Sequence, residues 1–274
     1  MRLYILFIVA VCIGFSSASI AQESSFSNKG KMYFYWGWNW SGYSKSDIHL
    51  RGDSYDFTLS NVRAYDRQSA FSTEKYLNPK YMTIPQYNFR LGYFISDHWE
   101  LSFGVDHMKY VVEDGQTVAI DGAIAGTGTL YDGLYVDERI KLTPDFFRME
   151  HTDGLNYLNL EARRMDKLYA KGVFSFRYFV GGGLGVLYPK TKTHLFGAEG
   201  YDEFQVSGWG VSAAAGLNVT VWDRLFVQTE VKGGYINLPR IVTSSTGADK
   251  ADQTFWFDQI NINIGMYIPI ISQD

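Results

Sequence analysis

Eight stretches of this 274-residue chain alternate between an apolar residue and a small, polar or charged one. Successive side chains of a β-strand point to opposite faces of the sheet, so this period of two predicts strands and excludes a helical fold. In the first stretch, for example, Met32, Phe34 and Trp36 alternate with Tyr33 and Tyr35. The predicted strands are residues 31–41, 84–95, 98–110, 156–164, 173–188, 205–221, 225–237 and 254–268.

The connections between these strands are alternately long and short. The short ones are residues 96–97, 165–172 and 222–224, and the long ones are residues 42–83, 111–155, 189–204 and 238–253. This alternation along an even number of strands is typical of barrels whose turns and loops lie on opposite sides of a membrane. The predicted fold is therefore all-β: an eight-stranded antiparallel up-and-down transmembrane β-barrel with long outer loops. Alternating runs at residues 55–59 and 117–122 predict ordered hairpins within two of these loops.

The composition of the two strand faces separates this fold from a soluble barrel, which also has eight strands in the lipocalins. One face is aliphatic and aromatic, and the other carries Gly, Ser, Asn and charge, which would make a poor soluble core. Aromatic residues make up 17% of the chain, and 27 glycines stand against only 6 prolines. Both features fit an apolar outer surface with aromatic girdles. The predicted lipid-facing girdle consists of Trp36, Trp38, Trp40, Tyr93, Trp99 and Trp209.

The polar face must then fill the lumen, because eight strands leave an interior just wide enough for side chains. Charges that are buried there have to be paired and hydrogen-bonded. The inward-facing set holds four charges of each sign, which predicts an internal salt-bridge network that plugs the barrel; the alternative is a polar or gated pore. The predicted network consists of Arg90, Glu100, Asp106, Glu161, Arg163, Arg177, Glu230 and Lys232.

The N-terminus has the pattern of a secretory signal peptide. Arg2 precedes an apolar run over residues 3–15, and the small residues Ser19 and Ala21 fit a cleavage site. We therefore expect a signal peptide at residues 1–21, a barrel domain at residues 22–274, and export to the outer membrane of a diderm bacterium. Cys12 is the only cysteine, so the exported chain would have no disulfide, thiolate metal site or cysteine nucleophile.

Charge and residue spacing bear on partners and chemistry. Arg2 is the only charged residue of the predicted signal peptide, so its removal leaves 24 of the 25 basic residues against 29 acidic ones. The exported chain would then have a net charge of −5, which argues against nucleic acid as a partner. The five histidines are scattered along the sequence, so we predict no metal site and no cofactor.

His107 lies near the outer end of its strand, but no serine follows it closely, so no catalytic residue is predicted. The tripeptide Arg51-Gly52-Asp53 is interpreted as a turn. The long loops are acidic. Their carboxylates are compatible with a simply solvated surface, with a bound Ca²⁺ ion, or with binding of lipopolysaccharide or another external ligand.

Residues 86–104, QYNFRLGYFISDHWELSFG, together with the loop asymmetry, resemble the small outer-membrane β-barrel proteins of diderm bacteria, a superfamily that includes the transmembrane domain of outer-membrane protein A. The resemblance covers the mature chain and concerns architecture. It implies two partners, outer-membrane lipid and the barrel-assembly machinery. Such barrels commonly end on an aromatic residue, whereas here Tyr267 is followed by seven further residues.

The superfamily contains structural proteins, adhesins, narrow channels and lipid-modifying enzymes, so the resemblance alone assigns no activity. The sequence favours a non-enzymatic structural or loop-displaying surface protein with a plugged polar lumen. Two alternatives stay open: a lipid-directed hydrolase or acyltransferase, and a narrow channel for small solutes.

Overall fold

The computed structural model describes residues 27–270 apart from residues 79, 82, 152, 201 and 245; the predicted signal peptide lies outside the described residues. Almost all regular structure is antiparallel strand. In chain order the elements are β1 (Lys31–Tyr43), β2 (Ser46–Gly52), β3 (Tyr55–Val62), β4 (Ala64–Asp66), α1 (Thr73–Leu77), β5 (Tyr87–Phe94), β6 (Trp99–Asp106), β7 (Tyr110–Val112), β8 (Thr117–Ile124), β9 (Gly133–Lys141), β10 (Phe147–His151), β11 (Tyr157–Lys171), β12 (Phe174–Leu187), β13 (Thr191–Leu195), β14 (Ala198–Glu199), β15 (Gly208–Val221), β16 (Leu225–Val242) and β17 (Lys250–Pro269). Within the described residues, no helix is long and apolar enough to cross a membrane.

Eight of these strands close into a barrel in the order β1-β5-β6-β11-β12-β15-β16-β17, and β17 pairs again with β1. The closing ladder runs from Lys31 opposite Pro269 to Tyr43 opposite Phe257. Each barrel strand overlaps one of the eight predicted strands, and every neighbouring pair is antiparallel. The predicted eight-stranded up-and-down barrel is thus confirmed.

Three tight connections lie together at one end of the barrel, at residues 95–98, 172–173 and 222–224. Trp222 and Asp223 both have positive φ, 53° and 54°, as a type I′ turn between twisted strands requires. The second connection is shorter than the predicted residues 165–172, because β11 continues to Lys171. The sequence pattern ended at Arg164 because the exposed residue there is charged and the next buried residue, Met165, is apolar, which inverts the alternation. The ladder continues beyond this point, with a register shift between Lys167 and Tyr169.

At the opposite end the chain builds an ordered extension on top of the barrel. Strands β2, β3, β8 and β9 continue the barrel sheet from β17, and a second sheet has the order β14-β13-β10-β7-β4. The runs 55–59 and 117–122 lie in β3 and β8, as predicted.

The connection predicted at residues 238–253 is mostly strand, because β16 reaches Val242 and β17 begins at Lys250. Pro239 cannot donate a backbone hydrogen bond to the ladder, which accommodates it at a register shift between Leu238 and Ile241.

A large apolar core fills the extension between its two sheets. It combines aliphatic side chains of the hairpins, such as Ile48 and Ile120, with aromatic ones that include Phe146, and all of these are fully buried. Tyr157 of β11 belongs to the same core, although it lies at the outer mouth of the lumen. The barrel and the extension therefore share one continuous packed interior.

Candidate functional site

The eight charged residues predicted for the lumen are all buried, with exposed fractions of 3% or less. Each lies in the strand phase that points to the barrel axis, opposite the phase of the aliphatic residues. Their positions follow from the period-two pattern, because one phase of every barrel strand must face inward. These residues are Arg90, Glu100, Asp106, Glu161, Arg163, Arg177, Glu230 and Lys232.

Glu161 lies at the centre of the lumen charges and contacts three cations. Its Oε1 atom accepts from Arg90 Nη2 at 2.8 Å and from Lys232 Nζ at 2.9 Å. Its Oε2 atom accepts from Arg163 Nη2 at 2.6 Å. A carboxylate with this many charge-assisted bonds can stay ionised although it is removed from water.

Two further carboxylates complete the network. Arg163 Nη1 donates to Glu230 Oε2 at 2.9 Å, and Lys232 Nζ donates to Asp106 Oδ2 at 2.6 Å. Three cations therefore meet three anions, so the network is neutral as a whole. Neutrality and full pairing are what make six charges tolerable inside a low-dielectric interior.

Glu100 and Arg177 lie nearer the tight-turn end and stand outside this network. Glu100 Oε1 accepts from the Tyr33 hydroxyl at 2.7 Å, whereas its Oε2 atom is buried and has no hydrogen-bond partner among the described residues. Arg177 pairs with Asp223 of the tight turn at 3.0 Å and lies 5.3 Å above the ring of Tyr267. The eight charges thus form one six-membered network and two separate sites.

Buried amides accompany the charges and were not singled out from the sequence. Asn159 accepts from Arg90 Nη2 at 2.8 Å and donates to Asp106 Oδ2 at 3.0 Å, and Asn261 donates to Glu230 Oε1 at 3.0 Å. The same alternation that placed the charges also placed these amides on the inward face. The period-two pattern therefore predicts that these amides point inward. Because they are uncharged, it does not predict that they belong to the ion-pair network.

Aromatic side chains close the lumen at both ends. At the tight-turn end Tyr33, Phe94, Phe226 and Tyr267 pack together, with ring centroids of the last two 4.6 Å apart. At the outer end Tyr157 lies in edge contact with Phe257, at a centroid distance of 6.1 Å. The interior is consequently a filled core of polar and charged groups between two aromatic layers.

The outer surface of the barrel is an apolar belt. Among the exposed side chains are Leu101, Leu160 and Ile264, each from a different strand. Of the predicted girdle residues, Tyr93 and Trp99 lie near the tight turns, and Trp40 and Trp209 lie near the opposite end, with exposed fractions of 37–47%. Trp36 and Trp38 have the same outward phase but are half-buried. Aromatic residues above and below an aliphatic band are the surface pattern of a transmembrane barrel.

The five histidines lie at separate places in the structure. His49 contacts Asp56 at 2.7 Å in the extension, His98 contacts Asp166 at 2.6 Å at the tight-turn end, and His194 lies in β13. Within the part of the chain that the structure describes, no group of three or more His, Cys, Asp or Glu side chains could hold a metal ion.

His107 and His151 are buried. His107 Nδ1 is hydrogen-bonded to Asn156 Oδ1 at 2.8 Å, and His151 Nδ1 to Thr191 Oγ1 at 2.9 Å. Burial lowers the pKa of His151 to about 3, so this imidazole is neutral in the folded protein at physiological pH.

The remaining motifs lie in the extension. Asp53 and Ser54 form the turn between β2 and β3, which places Arg51-Gly52-Asp53 at a hairpin tip where Arg51 Nη2 donates to Asp252 at 2.9 Å. The acidic loop residues are partly neutralised by local pairs, such as Arg63 with Glu113 at 2.7 Å and Arg148 with Asp114 at 2.7 Å.

Comparison with known proteins found similar folds among solved structures. No family model matches the chain, and no curated protein matches it in sequence. The outer-membrane protein AlkL is 9% identical, with 94% of this chain and 99% of that one covered and a TM-score of 0.41. OprG of Pseudomonas aeruginosa is 11% identical, with 87% of this chain and 96% of that one covered and a TM-score of 0.38. Neisserial surface protein A is 10% identical, with 87% of this chain and 97% of that one covered and a TM-score of 0.36. The chain is similar to small bacterial outer-membrane β-barrel proteins.

Proposed function

We propose that this protein spans the outer membrane as a closed, non-conducting barrel and displays the two-sheet extension as a rigid surface head. The apolar belt with its aromatic margins supports the membrane placement, because an exposed apolar band is unfavourable in water and aromatic girdles on both sides of it are typical of a lipid-facing barrel. The tight turns would face the periplasm, where the N-terminus lies after export. The extension would then project outward from the cell, where an external ligand or lipopolysaccharide can reach it.

The neutral lumen network is the observation that carries the non-conducting part of this proposal. An open channel needs a continuous water-filled path, and barrels that conduct freely usually have many more strands. Here Glu161, Arg163 and Lys232 fill the centre, and aromatic side chains cover them from both ends. These contacts favour a plugged barrel over a narrow channel.

The enzymatic alternative is less well supported by the geometry. A histidine acting on lipid as a general base needs a hydroxyl nucleophile within hydrogen-bond reach. Among the described residues, no serine or threonine hydroxyl is hydrogen-bonded to His107, whose Nδ1 atom is bonded to Asn156. The function that the structure supports best is therefore display by a membrane scaffold.

Conductance across a planar bilayer tests the plugged lumen. We expect no stable single-channel steps from the purified barrel, because the charges that would line a pore are paired with each other. A many-stranded porin in the same bilayer is the positive control for incorporation and detection. Reproducible steps that scale with the amount of inserted protein would contradict the proposal.

Proteolysis of intact cells tests the surface head. We expect proteinase K to cut mainly in the exposed turn at residues 125–132, where Leu130 is 83% exposed, and to leave the paired strands of the extension intact. Backbone groups held in ladders are poor substrates, whereas loop tips are the usual sites of nicking. Rapid degradation of all of residues 44–86 and 107–156, or no cleavage until the cells are opened, would reject a rigid head on the cell surface.

A further inference from the structure

The outer rim of the barrel contains a cavity of about 440 Å³ that the display function does not use. It lies where three neighbouring strands end: β5 begins at Tyr87, β6 ends just before His107, and β11 begins just after Asn156. These three side chains line it together with Ile84 and Lys109 of the adjoining connections. The cavity is therefore formed by the rim itself and not by a mobile loop tip.

The strand phase places this cavity on the outside of the barrel. Tyr87 has the phase of Phe89 and Leu91, and His107 has the phase of Val105 and Phe103, all of which lie on the lipid-facing surface. Ile84 and Phe204 are 44% and 43% exposed beside the cavity, so the apolar surface reaches its edge. A molecule could enter the cavity from the boundary between the membrane and water.

The polar wall of the cavity is held by specific packing around His107. The imidazole stacks on Tyr87 at a centroid distance of 4.8 Å, and Tyr87 stacks in turn on Trp36 at 4.3 Å. On the other side Gly154 approaches so closely that a Cβ atom there would lie 2.4 Å from the imidazole ring. Gly154 has φ +95°, and Asn156, which holds the imidazole, has φ 28°, so this segment is shaped around the ring.

Lys109 supplies a positive charge to this cavity. It is half-buried, its Nζ atom donates to the Ile84 carbonyl oxygen at 3.0 Å, and among the described residues it forms no ion pair. The nearby carboxylate of Asp153 is engaged by Lys190 at 3.0 Å. Desolvation is the largest effect on the pKa of Lys109 and lowers it, although three carboxylates lie near enough to raise that pKa: Asp66, Asp153 and Glu150. Asp153 also lines the cavity. A partly buried cation without a contact ion pair is costly. An anion entering the cavity would offset that cost.

We propose that this cavity binds an anionic amphiphile of the outer leaflet, with a carboxylate or phosphate at Lys109 and an apolar chain along the lipid-facing side chains beside Ile84 and Phe204. The inference rests on the proposed membrane placement, since the chain needs a bilayer to lie in. Beyond display, the protein would then have a lipid partner, and the positive charge of Lys109 at the barrel rim would select lipids with an anionic group.

Binding is tested with a spin-labelled stearate and its methyl ester, in nanodiscs of phosphatidylcholine that contain the protein. We expect the protein to immobilise the stearate and to immobilise the ester much less, and Lys109→Gln to weaken stearate binding about tenfold, as for loss of one charge-assisted contact. Lys109→Arg should retain binding because it keeps the charge. The control Lys141→Gln makes the same change at an exposed position of β9 and should leave binding unchanged.

Equal binding of stearate and ester, or unchanged binding by Lys109→Gln, would overturn the inference. Displacement of the stearate by inorganic phosphate at similar concentration would also overturn it, because the site would then take a free anion. Quenching of tryptophan fluorescence by brominated lipid in the same nanodiscs reports insertion separately. Absent quenching would contradict the membrane placement itself, whereas quenching without stearate immobilisation would contradict only the lipid site.

Discussion

Glu161→Gln is expected to destabilise the barrel by about 3–5 kcal/mol, the range measured when one member of a buried ion network is removed. The amide keeps the shape of the side chain but leaves Arg90, Arg163 and Lys232 facing only two carboxylates. The lumen then carries an uncompensated charge that cannot reach water. The loss is measured as the change in the free energy of unfolding in urea. The folded and unfolded fractions at each urea concentration are read from their separate bands on a gel.

Two variants separate the charge effect from a general weakening. Glu138→Gln makes the same change on the exposed surface of β9 and should alter stability by less than about 0.5 kcal/mol. Adding Lys232→Met to Glu161→Gln restores equal numbers of both charges and should recover part of the loss, so the two substitutions should be less than additive. Strict additivity would argue that the cost comes from packing and not from charge imbalance.

Acidification is expected to loosen the surface head before it affects the barrel. The pKa of His151 is lowered by burial to about 3, against about 6.5 in an unfolded chain. The unfolded state therefore binds more protons between these values, and stability that is present above pH 6.5 is lost as pH falls toward 3, by roughly 1.4 kcal/mol per pH unit. The whole window corresponds to a loss of about 5 kcal/mol.

Hydrogen exchange of β10 and β13 between pH 7 and pH 4.5, corrected for intrinsic rates, measures this loss. We expect protection to fall by about a hundredfold over two units, since two units correspond to nearly 3 kcal/mol. His151→Gln can still bond Thr191 but does not titrate, so its protection should be nearly independent of pH. His49→Gln changes a histidine on the outer hairpin and should behave like the unchanged protein. An identical pH dependence in His151→Gln would show that another group is responsible.

The strand phase could be read from the sequence because it depends on local alternation alone. Once Met32 and Phe34 were placed outward, Tyr33 and Tyr35 had to face inward, and the same logic placed every lumen charge. Which charge meets which depends on register across several strands, and this is not a local property. That Glu161 would contact cations of three strands, while Glu100 would contact none, required the assembled ring.

The extension was predictable only as ordered hairpins. Strand β7 has three residues, Tyr110, Val111 and Val112, and all three are buried, so it shows no alternation. Its place between β4 and β10 is set by long-range packing of the apolar core. The rim cavity was equally hidden, because it depends on the positive φ values of Gly154 and Asn156, which bring a distant segment against His107.

Strand β17 gives the molecule a mechanical property. Its 20 residues pair with β1 along Phe257–Pro269 and with β2 at residues 250–253, so one unbroken strand crosses from the barrel into the extension. A tensile load on the head would pass along this strand and would strain its neighbouring ladders in shear, with many hydrogen bonds loaded at once. Peeling a hairpin open, by contrast, breaks its bonds one after another. The joint between barrel and extension should therefore resist a pulling force better than a hairpin of the same length.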